Sequence, residues 1–323
     1  MKINFNLWSA GISGGNRTIY QLANKLTEHG HDVSITSLAI GGTHEWFGEV
    51  NAHFNYVGLN VFQKAARKFL FVPRWDVDWA RRLAEAIPEC EVNVATYCLM
   101  AYPVLWSGKG KPYYLIQHDE RLFFNDPIEK NIADLTYKLP LQKIVVSSWL
   151  QERIGGALIG NGVDLDKFRD LQLERIYDVM VFDRDVSWKG NTNAVVDALE
   201  NMKYKMLIAK NFSEQEVVRA YNQSKCFLFL SDMKEGFGLP PLEAMACGCP
   251  VIATDCTEFC VNDVNSTVVK GFSYPVYIKD VICAIQRLSQ ESLRERLVSN
   301  GFETAKQHSF DAFVDRFEKE IAK

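Results

Sequence analysis

The chain has no apolar run of the ~20 residues needed to cross a bilayer. Its opening residues, "MKINFNLW", pass straight into a strand-like pattern with no apolar signal core. It also lacks a basic surplus, with 36 Lys and Arg against 40 Asp and Glu and a net charge of −4. That balance argues against a nucleic-acid partner. The signs cancel over residues 1–170, so the acidic excess lies in the second half. Eight cysteines (Cys90, Cys98, Cys226, Cys247, Cys249, Cys256, Cys260 and Cys283) show no disulfide-scaffold spacing, so reduced thiols and a cytoplasmic location are expected. Cys247-x-Cys249 and Cys256-x3-Cys260 could offer four thiolates to zinc, but the spacing fits no familiar zinc module and core positions are the preferred reading. The N-terminal loop lacks Gly-x-Gly-x-x-Gly, which disfavours a dinucleotide-dependent oxidoreductase.

What is present is ordinary for a soluble protein of two domains: 323 residues, 47% hydrophobic and 24% charged. Short apolar strands alternate with amphipathic helices, the pattern of parallel α/β sheets. Strands are expected at 3–8, 32–39, 92–99, 113–117 and 143–148, with a helix at 17–30 in which Ile19, Leu22, Ala23 and Leu26 recur at helical spacing. A second series begins near 177–182 and continues with strands at 226–231 and 250–255 around a helix at 240–247. The polar, turn-rich stretch 160–176 marks the junction. The expected domains are therefore 1–160 and 170–308, followed by a terminal helix at 309–323. Tandem α/β units imply a ligand cleft at the carboxyl ends of their strands.

Chemistry concentrates in "EGFGLPPLEAMACGCPVIATD" (235–255). Glu235 opens a loop after a strand, Gly236 and Gly238 let backbone approach a ligand, and Pro240 and Pro241 suit the first turn of a helix. The amides of Phe237, Gly238 and Leu239 would then present the positive helix end to an anionic or polyhydroxylated ligand. Glu243, expected in the helix's first turn, adds a second carboxylate able to accept two hydrogen bonds from a vicinal diol. The plainer alternative makes Glu243 a compensator of the helix dipole and Glu235 a surface charge. Their pairing on one Gly-Pro loop favours a ligand.

This stretch resembles the signature of retaining glycosyltransferases of glycosyltransferase family 4 (glycosyl transferases group 1), whose GT-B fold has two Rossmann-like domains with parallel sheets facing a central cleft. The resemblance implies an α/β GT-B chain that moves a sugar from a nucleoside-diphosphate sugar to an acceptor hydroxyl, a metal-independent enzyme of hexosyltransferase type without a cofactor. It implies that Glu243 holds the ribose hydroxyls, that Glu235 contacts the donor sugar and that the 237–239 amides bind sugar hydroxyls or phosphate. "FDRDVSWKG" (182–190) resembles the family's Arg and Lys pair, and Arg184 and Lys189 would neutralise the leaving diphosphate. Asp183 stands where family members commonly have Gly. "SGGNRTIYQLANKLTEHGHDV" resembles the N-terminal glycine loop, which would bring Gly14 and Gly15 near the diphosphate or the acceptor. "YLIQHDERLFF" places His118 past a strand end, where the family often has a His lining the donor sugar; a structural His is the equal alternative. The terminal helix resembles the family segment that crosses back to brace the first domain.

After "KMLIAK" the chain departs from the family pattern, omitting a Gly-bearing loop and a helix-strand unit that often frame the base. The basic aromatic stretch 62–75 offers contact with anionic lipid at the inner membrane face or with a charged acceptor, although an interdomain loop is the preferred reading. The acceptor would be a sugar or a lipid- or protein-linked glycan. The rival readings are a sugar-nucleotide epimerase of the same fold and a non-catalytic sugar-nucleotide-binding subunit.

Overall fold

The structure, a computed structural model, describes residues 1–39, 42–58, 77–183, 192–231, 235–255, 257–270 and 278–323. The chain divides into two compact units: Met1–Ile159 with Arg316–Lys323, and Gly160–Asp315.

The first unit is built on a parallel sheet of seven strands: β1 (Lys2–Leu7), β2 (Asp32–Leu38), β3 (His53–Val57), β4 (Val92–Ala95), β5 (Lys111–Ile116), β6 (Gln142–Val145) and β7 (Ala157–Leu158). The spatial order β3-β2-β1-β4-β5-β6-β7 reverses between β1 and β4, as in a doubly wound sheet. Central strand β1 is buried on both faces, which explains its run of large apolar residues. Its two asparagines are buried as well, and both are bonded. Asn6 donates to Asn93 Oδ1 at 2.7 Å, Asn4 donates to the same oxygen at 3.2 Å, and Ser34 donates to Asn4 Oδ1 at 2.9 Å. A one-residue slip of β1 against β2 or β4 would strand these groups in an apolar core, so the network fixes the register.

Helix Gly14–Glu28 starts at Ser13, whose hydroxyl accepts from Asn16 N at 3.0 Å, and it buries Ile19, Leu22, Ala23 and Leu26. The single strand expected across 92–99 is not observed. β4 ends at Ala95 and a helix, Cys98–Ser107, begins almost at once. An unbroken apolar run does not distinguish strand from helix, and the usual start signal is missing here: Tyr97 at the N-cap offers no side-chain bond. Glu120, distant in sequence, fills that role by accepting from Cys98 N.

The second unit holds a five-stranded parallel sheet of β8 (Val179–Phe182), β9 (Met206–Ala209), β10 (Phe227–Phe229), β11 (Val251–Thr254) and β12 (Thr267–Val269). Its order, β12-β11-β10-β8-β9, reverses between β8 and β10. One helix, Glu214–Asn222, joins β9 to β10, and Ser213 with Glu216 closes a capping box at its start. Val179, Val181, Leu199, Leu228, Ile252 and Leu297 belong to the core of this unit. Arg175 ties its helices together. The guanidinium donates to the carbonyls of Tyr221 (3.1 Å), Ser224 (2.6 Å), Cys247 (3.4 Å) and Gly248 (2.7 Å), placing one cation at two helix C-termini.

The last helix, Phe310–Ile321, passes from the second unit into the first. Within the first unit, Phe317 stacks on Phe5 with ring centroids 5.9 Å apart, and Glu318 meets His29 at 3.0 Å and His31 at 2.9 Å. Among the described residues no helix is long and apolar enough to cross a membrane.

Candidate active site

In each unit the strand order reverses where parallel α/β sheets ordinarily bind ligands, outside the carboxyl ends of the strands. In the second unit β10 delivers the chain to Glu235 and to the helix Leu239–Ala246. Gly238 is the N-cap, with φ of 89°, a conformation that suits glycine. A Cβ on Gly238 would lie 2.4 Å from Thr257 Cγ2 and 3.7 Å from Glu235 Cβ, so the loop is folded tightly onto the segment after β11. Phe237 turns its ring into a buried cluster with Phe259 (5.3 Å) and His308 (5.6 Å), which leaves backbone as its contribution to any ligand. Pro240 and Pro241 bring no N–H, so this helix start carries few amide donors.

Glu243 is the fifth residue of the helix, beyond the first turn where the sequence placed it, and it is only 3% exposed. A role in balancing the helix dipole is therefore removed. The Tyr221 hydroxyl donates to Pro240 O at 3.2 Å and to Glu243 Oε2 at 3.4 Å, one proton shared over two long bonds. Sequence reading missed Tyr221, because nothing local marks a tyrosine in another helix as the partner of a carboxylate. The structure thus brings Glu235, Phe237, Gly238, Leu239 and Glu243 into one loop and helix. Arg184 and Lys189 lie outside the described residues, as does the 62–75 stretch.

In the first unit β1 leads into the glycine loop. Gly14 is exposed, and a Cβ placed there would have nothing within 4 Å, whereas a Cβ on Gly15 would press on Gln117 Nε2 at 3.3 Å. Gln117 and His118 follow β5 directly. His118 Nδ1 lies 3.2 Å from Asp119 O, a carbonyl that can only accept, so Nδ1 is the donor in this bond. The His118 ring is 5.0 Å from Phe123 and 6.2 Å from Trp149.

Two carboxylates anchor this turn. Asp119, fully buried, accepts from Arg121 Nε and Nη2, both at 2.8 Å, and from Arg153 Nε at 3.0 Å. Burial raises its pKa, but the two guanidiniums outweigh that and hold it below the ordinary value. Glu120 points the other way, into the core, where Tyr114 donates to it at 2.7 Å. Burial pushes its carboxyl up to about 7 against the hydrogen bonds from Tyr114 and Cys98.

Among the described residues no group of three or more His, Cys, Asp or Glu could hold a metal ion. Cys226, Cys247, Cys249 and Cys260 are buried free thiols, and Cys256 lies outside the described residues. The sequence does contain Asp-x-Asp pairs, one of them Asp164 and Asp166; there Asp164 Oδ1 accepts from Asp166 N at 3.1 Å and shapes a turn. A groove of about 660 Å³ in the second unit, beside Arg169, Ser213 and Arg219, contains none of the candidate residues.

Residues 192–304 match the family model described as glycosyl transferases group 1. No curated protein sequence matches the chain. Among solved structures it is similar to sucrose-phosphate synthase from Thermosynechococcus elongatus, at TM-score 0.77 and 15% identity, covering 100% of this chain and 98% of that one. It is similar to HepE of Anabaena in complex with UDP and glucose, at TM-score 0.75 and 14% identity, covering 100% and 99%. A glycosyltransferase from Rickettsia africae ESF-5 aligns at TM-score 0.70 and 17% identity, covering 100% and 98%. With its two parallel α/β sheets and full-length alignment to these structures, the chain has the GT-B fold.

Proposed function

We propose that the protein is a glycosyltransferase of family 4 type that moves a sugar from a nucleoside-diphosphate donor to an acceptor hydroxyl with retention at the anomeric carbon. The observation that carries this reading is the placement of Glu235 and Glu243 on one loop and helix leaving β10, at the strand-order reversal of the unit that matches the glycosyl transferase model. Glu243 holds the ribose diol and Glu235 the donor sugar. Backbone amides at 237–239 and the cations Arg184 and Lys189 meet the phosphate oxygens. The leaving group is already a diphosphate, so catalysis is charge stabilisation and positioning, and no metal is needed. The acceptor is a sugar or a lipid- or protein-linked glycan.

UDP-sugars come first in any screen, since HepE was solved with UDP and glucose. The test is thermal shift against UDP-, GDP-, dTDP- and ADP-sugars, followed by donor hydrolysis. A specific donor at about a hundred times its Kd adds roughly 2.7 kcal/mol of stability. A shift with hydrolysis supports the enzyme, and a shift without hydrolysis or transfer points to a binding subunit. Loss of donor without an acceptor, giving an isomerised sugar nucleotide, points to an epimerase. No shift and no turnover with any donor overturns the proposal.

A further inference from the structure

The groove of about 660 Å³ in the second unit runs between residues 166–171 and the helix Glu214–Asn222. Its volume is that of a small-molecule site. Asn222, a buried side chain, holds the two walls together. Its Nδ2 donates to Arg169 O at 3.0 Å and to Val218 O at 2.9 Å, and its Oδ1 accepts from Leu171 N at 2.6 Å. Toward the helix start, Lys167 Nζ reaches across to Glu214 at 3.2 Å. Leu171 and the buried Val218 supply an apolar floor.

The charged side chains lining this groove are unequally engaged. Glu214 holds Lys167, and Glu216 accepts from Ser213 N and Oγ, both at 2.7 Å. Among the described residues, the side chains of Arg169, Arg219 and Asp166 have no partner. That leaves two guanidiniums against one carboxylate, a surplus of positive charge above apolar lining. A guanidinium is a planar fork of N–H donors that fits two oxygens of one oxyanion, and a phosphate has oxygens enough for two forks. We propose that the groove binds a small organic phosphate, its oxygens held by Arg169 and Arg219 and its apolar body lying on Val218 and Leu171. The groove shares no residue with Glu235, Glu243 or the 237–239 loop, so it is independent of the sugar-nucleotide reading. One wall is the helix that carries Tyr221, whose hydroxyl meets Glu243 at 3.4 Å, and the occupant therefore rests on an element that touches that carboxylate.

The probe is phenyl phosphate, titrated by calorimetry into wild type, Arg169→Ala, Arg219→Ala and the double variant, with inorganic phosphate and phenol alongside. Phenyl phosphate is expected to bind more tightly than either fragment and to slow hydrogen exchange across 213–219. Each arginine removed is expected to weaken it about tenfold, the scale of one charge-assisted hydrogen bond. Both arginines are exposed, so the variants are expected to melt close to wild type. Absence of binding overturns the inference, and so does equal affinity in wild type and the double variant. Inorganic phosphate binding as tightly as phenyl phosphate overturns the organic ligand. Displacement of the probe by UDP also overturns the proposal, because the groove would then belong to the donor site. The nucleotide-sugar screen can fail without touching this result, and the reverse holds equally.

Discussion

The hydroxyl of Tyr221 lies 3.4 Å from Glu243 Oε2, joining a fully buried tyrosine of one helix to a buried carboxylate of another. In the proposed site this bond sets where the carboxylate waits before a donor arrives. Tyr221→Phe is expected to cost about 1 kcal/mol by urea unfolding, the usual value of one such bond, and to keep the donor-induced thermal shift. Glu243→Gln preserves volume but replaces the carboxylate, and is expected to abolish the shift. A donor shift that survives Glu243→Gln would remove this residue from the site.

Gly238 and Gly14 should respond in opposite ways to alanine. At Gly238 the backbone is left-handed and the added carbon would meet Thr257 at 2.4 Å, so Gly238→Ala is expected to cost about 2 kcal/mol or more, together with turnover. At Gly14 nothing lies within 4 Å, and stability should stay within about 0.5 kcal/mol. Chemical denaturation of the pair checks this, and equal losses would contradict the close approach at Gly238.

Glu120 imposes a pH dependence whose sign follows from its raised pKa of about 7. The folded state holds this proton more tightly than the unfolded chain does. Its contribution is fully present below the ordinary carboxyl value of 4.5 and is lost as pH rises through about 7. One such group slopes stability downward by at most ~1.4 kcal/mol per pH unit in that window. Asp119, held below its ordinary value, acts in the opposite sense, with stability lost only as pH falls below the ordinary Asp range. Urea unfolding at pH 5, 6, 7 and 8 should therefore show a fall in wild type that flattens in Glu120→Gln.

Around Asp119 the two arginines are unequal. Arg121 bonds both carboxylate oxygens and also reaches Asp134 at 2.8 Å, with its side chain 26% exposed; Arg153 makes one bond and is 45% exposed. Removing one partner of a buried charge is costly, so Arg121→Ala is expected to lose about 3 kcal/mol and Arg153→Ala well under half of that. The reverse order in a denaturation series would reassign the anchor.

Lys189→Ala is expected to lower turnover by about 10²-fold, the scale of one lost preorganised charge donor, with EDTA leaving wild-type activity unchanged. Near-normal turnover in the variant would sink the diphosphate assignment, and inhibition by EDTA would sink metal independence.

Much of this was legible in the sequence where local signals agree. The spacing of Ile19, Leu22, Ala23 and Leu26 announces the first helix, although it begins at Gly14, inside the stretch read as a glycine loop, because Ser13 caps it there; the Gly-Pro pattern at 236–241 announces the turn into another. Illegible features depend on partners far along the chain. Cys98–Ser107 carries Pro103 inside it and receives its cap from Glu120, so "VNVATYCL" reads as strand alone. Edge strand His53–Val57 is half exposed and lacks a clean apolar alternation. At the site the two glutamates stand out by chemistry, whereas Tyr221 and Thr257 matter only through proximity, which no local pattern records.

Arg175 carries a final implication. The helix bearing Tyr221 and the helix bearing Glu243 end on carbonyls gathered by the same guanidinium. A hinge between them would have to break that grip, so the hydroxyl and the carboxylate can travel together but cannot splay apart. A lysine at 175, with a single ammonium head, could not span both helix ends at once. Loosening would then appear as a wider spread of Tyr221–Glu243 separations.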